Sequence, residues 1–235
     1  LRECISIAGQ SDLALVSADD PIVASMPTAG ASDYRRLLDA LESSLLSGGR
    51  VVLRRRGADP ITVCGGARVV LGRDALCDLA LRTGGVSRRH AEIDIDADAG
   101  DERFRLHDGG SRNGTLLGGL PLSGRVPLRG EGVIGLGDDC RVSFAVAGDP
   151  PVLRLRIESG LDRGLQLAAA AEGDPIDLAV LGIPAILTFR AGRPMLGRGP
   201  GAHRLSLGGQ IVGAGEVQLI RGDRVELDNV EIEIE

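Results

Sequence analysis

Apolar and polar residues alternate in short runs from residue 50 to the end of the chain, and glycines separate most of these runs. Examples are "HAEIDID" at 90–96, "RFRLHD" at 103–108 and "CRVSFAV" at 140–146. A period of two places alternate side chains on opposite faces, as in the half-buried strands of a sandwich. The pattern therefore predicts an all-β protein with many turns.

The strand pattern falls into two series, at residues 50–148 and 151–235, and "GDPP" at 148–151 predicts a linker between them. A chain of 235 residues is long enough for two domains of about 100 residues that each bury a core. We therefore predict two β-sandwiches in tandem, with domain boundaries at those positions.

Residues 1–49 predict a short N-terminal segment that contains one helix. Ser32 or Asp33 can cap the helix, and Gly48 and Gly49 would end it. Its leucines fall on one face at helical spacing: Leu37, Leu38, Leu41, Leu45 and Leu46. The helix could bind a partner, but a helix docked on the neighbouring domain, or left from a preceding region, is the favoured interpretation. The chain begins at Leu1 rather than Met, so we expect it to be part of a longer protein.

The two series resemble an internal repeat. The stretch "CDLAL" at 77–81 aligns with "IDLAV" at 176–180, and "HAEIDI" at 90–95 aligns with "PAILTF" at 184–189. The closing parts of the two series, from residues 114 and 203 onward, agree in strand order and in the placement of their turns. The repeat predicts that both sandwiches share one strand order.

Composition excludes several classes of function. The net charge is −6, which argues against binding to nucleic acid or to an anionic membrane, and all 27 basic residues are arginine. The four cysteines (Cys4, Cys64, Cys77 and Cys140) lack the spacing of a zinc site, so we expect no metal or cofactor and reduced thiols in a cytoplasmic protein. No signal peptide and no apolar run long enough to cross a bilayer is evident.

Three loops of the first series carry groups suited to a phosphate. Arg73 follows one predicted strand, "SRRH" at 87–90 follows another, and "SRNGT" at 111–115 follows a third. Guanidinium forks and hydroxyls bind a dianion by charge-assisted hydrogen bonds, and an amide such as Asn113 can bind the backbone of an extended peptide. No general base stands beside a nucleophile, so the loops predict a phosphopeptide clamp and not an enzyme.

These residues resemble the signature of the forkhead-associated (FHA) domain. Gly72-Arg73, the serine-x-x-histidine of Ser87 to His90, and Asn113-Gly114 occur in the order and at the spacing of that family. The resemblance implies an eleven-stranded β-sandwich at residues 50–148 that recognises phosphothreonine through loops at one end.

The resemblance also implies a role for each residue of the loops. The residues expected to bind the phosphopeptide are Arg73, Ser87, Arg88, Ser111, Arg112 and Asn113. Gly72, His90 and Gly114 are expected to support the site, the glycines through backbone geometry and the histidine by bracing the loops. A surface arginine, a turn hydroxyl and an asparagine in a left-handed turn are the alternative interpretations of Arg73, Ser87 and Asn113.

The second series resembles a degenerate FHA-like domain. Leu181-Gly182-Ile183-Pro184 stands where serine-x-x-histidine is expected, and Ala202-His203 replaces Asn-Gly. The run "GRGPGAHR" at 197–204 could cradle an anion, but a flexible loop is the favoured interpretation. We expect residues 151–235 to form a β-sandwich that binds no phosphate.

The leading hypothesis is a phosphothreonine-binding module of a bacterial Ser/Thr kinase pathway, with the kinase or its substrate as partner. The alternative is a scaffold, because degenerate FHA-like domains resemble a structural component of bacterial secretion systems. The intact set at Arg73, Ser87 and Asn113 argues against that alternative for the first domain.

Overall fold

The computed structural model describes residues 3–5, 14–16, 45–46, 48–213 and 215–235. Residues 1–45 and 46–235 form separate compact units. In the first unit, β1 (Glu3–Ile5) pairs antiparallel with β2 (Ala14–Val16). Apart from Leu45 and Leu46, the predicted N-terminal helix lies outside the described residues.

The regular secondary structure of the second unit is almost entirely β-strand, which confirms the predicted all-β class. The first series forms eleven of them: β3 (Arg50–Arg55), β4 (Ile61–Gly65), β5 (Arg68–Gly72), β6 (Leu79–Ala80), β7 (Ala91–Ile95), β8 (Phe104–Asp108), β9 (Thr115–Leu117), β10 (Leu120–Pro121), β11 (Val126–Pro127), β12 (Glu131–Leu136) and β13 (Cys140–Ala147). A single 3-10 turn, Gly100–Glu102, interrupts this series.

The second series adds ten strands: β14 (Val152–Ile157), β15 (Gln166–Ala170), β16 (Ile176–Asp177), β17 (Ala185–Arg190), β18 (Arg193–Arg198), β19 (Leu205–Leu207), β20 (Gln210–Ile211), β21 (Glu216–Gln218), β22 (Arg224–Leu227) and β23 (Val230–Ile234). Its 3-10 turn is Ala179–Leu181, between β16 and β17.

One sheet of twelve strands runs through both series, in the order β10-β9-β12-β13-β14-β15-β4-β3-β23-β22-β19-β20. A five-stranded sheet, β11-β8-β7-β5-β6, belongs to the first series, and a four-stranded sheet, β16-β17-β18-β21, belongs to the second. From one end to the centre, the large sheet runs β10-β9-β12-β13-β14-β15, and from the other end it runs β20-β19-β22-β23-β3-β4. Each strand of the first half has a counterpart at the same place in the second half, as the predicted repeat requires.

The two series exchange their first hairpins. The hairpin β14–β15 of the second series pairs with the last strand of the first, β13, and places Leu155 opposite Phe144. The hairpin β3–β4 of the first series pairs with the last strand of the second, β23, and places Leu53 opposite Ile234. We call β5–β13 with β14–β15 the first sandwich, and β16–β23 with β3–β4 the second. The boundaries predicted from the sequence stay a prediction, and strand pairing crosses them in both directions.

The exchanged hairpins meet at the centre of the large sheet, where β4 and β15 pair in parallel. Along β15, Leu167 and Ala169 belong to the core of the first sandwich, whereas Ala168 and Ala170 belong to the core of the second. Alternate residues of a strand point to opposite faces. The two cores therefore lie on opposite faces of one sheet, and β15 is buried on both faces.

The alanines and glycines of this central pair leave room for the larger side chains around them. Gly65 ends β4, and a side chain there would collide with the ring of Phe189 on β17. Phe189 is fully buried in the second core, although Gly65 belongs to the first series. This contact exists because the hairpin is exchanged.

We expect Gly65→Ala to lower the free energy of unfolding by about 1–3 kcal/mol, because a methyl group overpacks the second core against Phe189. Gly66→Ala is the matched control, since a side chain at Gly66 meets no atom within 4 Å. Chemical denaturation measures both variants. Equal stability of the two would contradict the exchanged pairing, and Phe189→Leu should reduce the cost of Gly65→Ala.

Candidate functional site

The end of β5 brings the first two loops together. The last residue of β5 must be a glycine, because a side chain at Gly72 would collide with the carbonyl of Arg88. The backbone N–H of Arg73 donates to the Ser87 carbonyl at 2.9 Å, and that of Asp74 donates to the Arg88 carbonyl at 3.0 Å. The close approach, which only glycine permits, fixes Arg73 beside the loop of Ser87.

His90 connects the second loop to the third. Its side chain is fully buried, and its Nδ1 accepts from the backbone N–H of Ser87 at 3.0 Å. The ring must therefore carry its proton on Nε2, which donates to the Gly114 carbonyl at 2.9 Å. Gly114 has φ +77°, a conformation that favours glycine, and its carbonyl also accepts from the Gly137 N–H at 3.0 Å.

Asp108, at the end of β8, organises the third loop. Its carboxylate accepts from the hydroxyls of Thr115 at 2.6 Å and Ser111 at 2.7 Å, and from the backbone N–H groups of Gly110 and Ser111 at 2.8 Å. Partial burial raises the pKa of Asp108, but these four donors outweigh burial and lower the pKa to about 2.

Sequence reasoning missed Asp108. The signal was available, because an Asp followed by two glycines and a serine after a strand is typical of a side-chain-capped turn. Ser111, which was expected to contact the peptide, directs its hydroxyl to Asp108 and does not line the pocket described next.

Five of the six residues predicted to bind phosphopeptide line one open pocket of about 810 Å³: Arg73, Ser87, Arg88, Arg112 and Asn113. The Ser87 hydroxyl oxygen accepts from the Arg112 N–H at 3.0 Å, and the Asn113 amide donates to the Gly85 carbonyl at 2.9 Å. These two bonds join the loops at the floor of the pocket.

Four arginines line the pocket, and three of them keep their charges available. Arg73, Arg88 and Arg112 are exposed, and none forms a salt bridge with any residue that the structure describes. Arg89, by contrast, pairs with Glu92 at 2.9 Å. Asp74 also lines the pocket, so three guanidinium groups without a salt bridge to a described residue share the site with one carboxylate. The remaining positive charge favours an anion with several acceptor oxygens.

At the positions that correspond to the three binding loops, the second sandwich carries different residues. The Gly199 N–H donates to the Pro184 carbonyl as Gly109 donates to His90, and Asp228 donates to Arg204 as Gly137 donates to Gly114. Pro184 therefore stands at the place of His90, and His203 stands at the place of Asn113. The sequence alignment of 77–81 with 176–180 was wrong. Residues 176–177 form β16, which pairs with β17 as β5 pairs with β7, so β16 corresponds to β5. Residues 77–81 contain β6 instead.

Other chemistry has little support in the described part of the chain. Cys64, Cys77 and Cys140 are free and buried, and burial raises the pKa of Cys140 to about 11, which disfavours a reactive thiolate. Among the described residues, no cluster of His, Cys, Asp and Glu could hold a metal ion. In the same residues, no helix is long and apolar enough to cross a membrane.

Comparisons with known proteins identify the family of the first series. Residues 69–137 match the family model of the FHA domain, which confirms that the first series contains such a domain. A search of curated proteins finds no match.

The similar solved structures include FHA domains. The FHA domain of CT664 from Chlamydia trachomatis is 27% identical, with a TM-score of 0.30, over 37% of this chain and 89% of that chain. The FhaA FHA domain in complex with the intracellular domain of Rv3910 is 30% identical, with a TM-score of 0.29, over 37% of this chain and 91% of that one.

The lowered pKa of Asp108 predicts that the free energy of unfolding depends on pH in the acid range. Its pKa of about 2 lies below the ordinary value of about 3.9 in an unfolded chain. The ionised carboxylate therefore stabilises the fold above about pH 5, and this contribution is lost as the pH falls toward 2. We expect Asp108→Asn to lower the free energy of unfolding at pH 7 and to have little effect at the lowest pH.

Urea denaturation at pH 7 and at pH 2 measures this difference, with Asp98→Asn as the control. The Asp98 side chain is exposed and accepts no hydrogen bond from any residue described by the structure. If Asp108→Asn and the parent lose stability in parallel as the pH falls, the Asp108 carboxylate does not organise the loop.

Proposed function

We propose that the pocket of the first sandwich binds a phosphothreonine in a partner protein. The observation that carries this proposal is the convergence, with Ser87 and Asn113, of three arginines that form no salt bridge with any described residue. The FHA family to which residues 69–137 match is a family of phosphothreonine-binding modules. The function assigned is recognition without catalysis.

The hydrogen bonds already made in the pocket leave the right groups free for a phosphate. The Ser87 oxygen accepts from the Arg112 N–H, so the hydroxyl hydrogen remains available to a phosphate oxygen. Arg73 and Arg88 offer planar guanidinium groups that bind a phosphate in a bidentate manner, and such bonds replace the water lost by the dianion.

Asn113 suits the backbone of the phosphorylated peptide. One N–H of its amide is engaged by the Gly85 carbonyl, which fixes the orientation of the side chain. The amide oxygen and the second N–H remain to bind a peptide N–H and carbonyl beside the phosphothreonine. Phosphate thus supplies affinity, and Asn113 sets the position of the peptide.

A catalytic role does not follow from the histidine near Ser87. Both ring nitrogens of His90 are engaged by the backbone, and the ring is fully buried behind the loops. A general base needs a free lone pair within reach of the proton that it removes. His90, together with Gly72 and Gly114, is therefore assigned to support of the site, and we add Ser111 and Asp108 to that group.

The second sandwich is assigned as an FHA-like domain that binds no phosphate. Residues 179–183 replace the long segment 72–89 that carries Arg73 and Ser87 in the first sandwich, and Val180 follows β16 where Arg73 follows β5. Arg198 is engaged by the carbonyl of His203. A scaffold role, the alternative considered from the sequence, fits this second sandwich.

A protein phosphorylated on threonine is the proposed partner, either a Ser/Thr kinase or its substrate in the cytoplasm. Among the similar proteins, one structure at 30% identity comes from a study of phosphothreonine-dependent FHA domain interactions, and the FhaA domain is seen with an intracellular domain. These neighbours motivate a screen that includes kinase and membrane-protein intracellular segments.

We expect Arg73→Ala to weaken binding of a phosphothreonine peptide by about 30- to 150-fold, because a charge-assisted contact contributes about 2–3 kcal/mol. Arg68→Ala, at the other end of β5 and paired with Glu92, is the control and should bind as the parent does. Calorimetric titration with phosphorylated and unphosphorylated peptides measures both. If Arg73→Ala binds the phosphorylated peptide as tightly as the parent does, the phosphate site is misplaced.

His90→Ala and Ser87→Ala should have different effects. His90→Ala removes two buried hydrogen bonds, so it should lower the free energy of unfolding by about 1–3 kcal/mol and also weaken peptide binding. Ser87→Ala should weaken binding with little change in stability. Thermal melting and peptide titration measure each variant, and an unchanged melting temperature for His90→Ala would be inconsistent with its supporting role.

A further inference from the structure

The segment that leads into the Ser87 loop is held by a residue of the second series. Arg82 follows β6, and its backbone N–H and its Nε donate to the two carboxylate oxygens of Asp162 at 2.6 and 2.8 Å. A third bond joins Arg82 Nη2 to the Leu161 carbonyl at 2.8 Å. Asp162 and Leu161 lie in the turn between β14 and β15, residues 158–165.

The same turn also touches the loop that follows β12. The Ser159 hydroxyl donates to the Asp139 carbonyl at 3.0 Å and accepts from the Arg141 N–H at 2.9 Å. Gly160 lies against Thr83, since a side chain at Gly160 would come within 3.0 Å of the Thr83 hydroxyl oxygen. The turn therefore contacts the segment that leads into Gly84 and Gly85 of the pocket, and it contacts Asp139, which lies beside Gly85.

The burial of Asp162 indicates a specific role. Its side chain is only 2% exposed, whereas that of Arg82 is 73% exposed. A buried carboxylate loses its hydration and contributes less to stability than a well-packed apolar group would. The Asp162 carboxylate fixes the backbone of Arg82. Gly84 and Gly85 come two and three residues later, and they have no side chains that could anchor the loop.

Gly85 links the backbone that Asp162 fixes to the residues of the pocket. Its carbonyl accepts from Asn113, and Asp139 lies close to it, so the backbone at 84–86 sets the position of both Asn113 and Ser87. A glycine pair loses more conformational freedom on ordering than other residues do. The loop depends on external contacts to hold the geometry that a phosphopeptide needs.

We infer that the β14–β15 turn is a working part of the phosphopeptide site, with Asp162 as a positioning residue that orders the Ser87 loop. The turn lies beyond residue 137, where the family match ends, and on the far side of the linker predicted at 148–151. The second series therefore acts in recognition through its hairpin, although its own sandwich presents no phosphate-binding set. This inference rests on the proposed function.

The test compares two variants of the full chain, each of which loses one carboxylate that holds a turn. In Asp162→Ala the bonds to Arg82 are lost, and in Asp223→Ala the bond from the Ile220 N–H in the second sandwich is lost. We expect Asp162→Ala to weaken binding of a phosphothreonine peptide by about tenfold and to speed amide hydrogen exchange over residues 79–90. Asp223→Ala should lower stability without either effect.

Asp162→Asn keeps an acceptor for the Arg82 N–H with little change in shape, so it should fold and bind with intermediate affinity, and it replaces Asp162→Ala if that variant unfolds. The peptide is taken from a phosphothreonine library screened against the parent, with dephosphorylated controls. If the parent binds no such peptide, the proposed function is wrong and this inference falls with it. If the parent binds and both Asp162 variants bind equally tightly, only the role of Asp162 is wrong.

Discussion

The parallel pairing of β4 with β15 is the contact on which the rest of the molecule depends. Each strand comes from a hairpin that completes the opposite sandwich, and each lies between the two cores. A strand with no exposed face must carry small or apolar residues on both sides. The buried residues of β4 ("ITVCG") and of β15 ("LAAA", after the partly exposed Gln166) do so. Neither core can close without this pair, so the two sandwiches form one cooperative structure.

This arrangement also explains how the binding loops can be both exposed and ordered. Glycines and exposed arginines contribute little to the stability of a loop, and the pocket contains many of both. Order comes instead from groups behind the pocket: a buried neutral histidine, an ionised aspartate with four donors, and a carboxylate supplied by the exchanged hairpin. The guanidinium groups can then stay unpaired until a ligand arrives.

The sequence alone predicts the pocket better than it predicts the topology. Arg73, Ser87 and Asn113 lie in short loops whose spacing along the chain carries the signal, and the structure brings them together. The exchange of hairpins leaves no such local signal, because β3–β4 and β14–β15 have similar alternating patterns, and either could pair with β13 or β23. The run of alanines in β15 was the available clue, since half-buried strands seldom carry small residues on both faces. Asp162 could not be found without the topology, because it lies 80 residues from Arg82.

The exchange of hairpins has a consequence for how such a chain can evolve. One domain of a tandem pair can usually be deleted without unfolding its neighbour, because each domain has its own core. Here, deletion of the second series would remove Leu153, Leu155 and Leu167 from the core that supports the binding loops. Selection on the binding loops of the first series therefore also preserves β14 and β15 of the second series, whatever the second sandwich itself does.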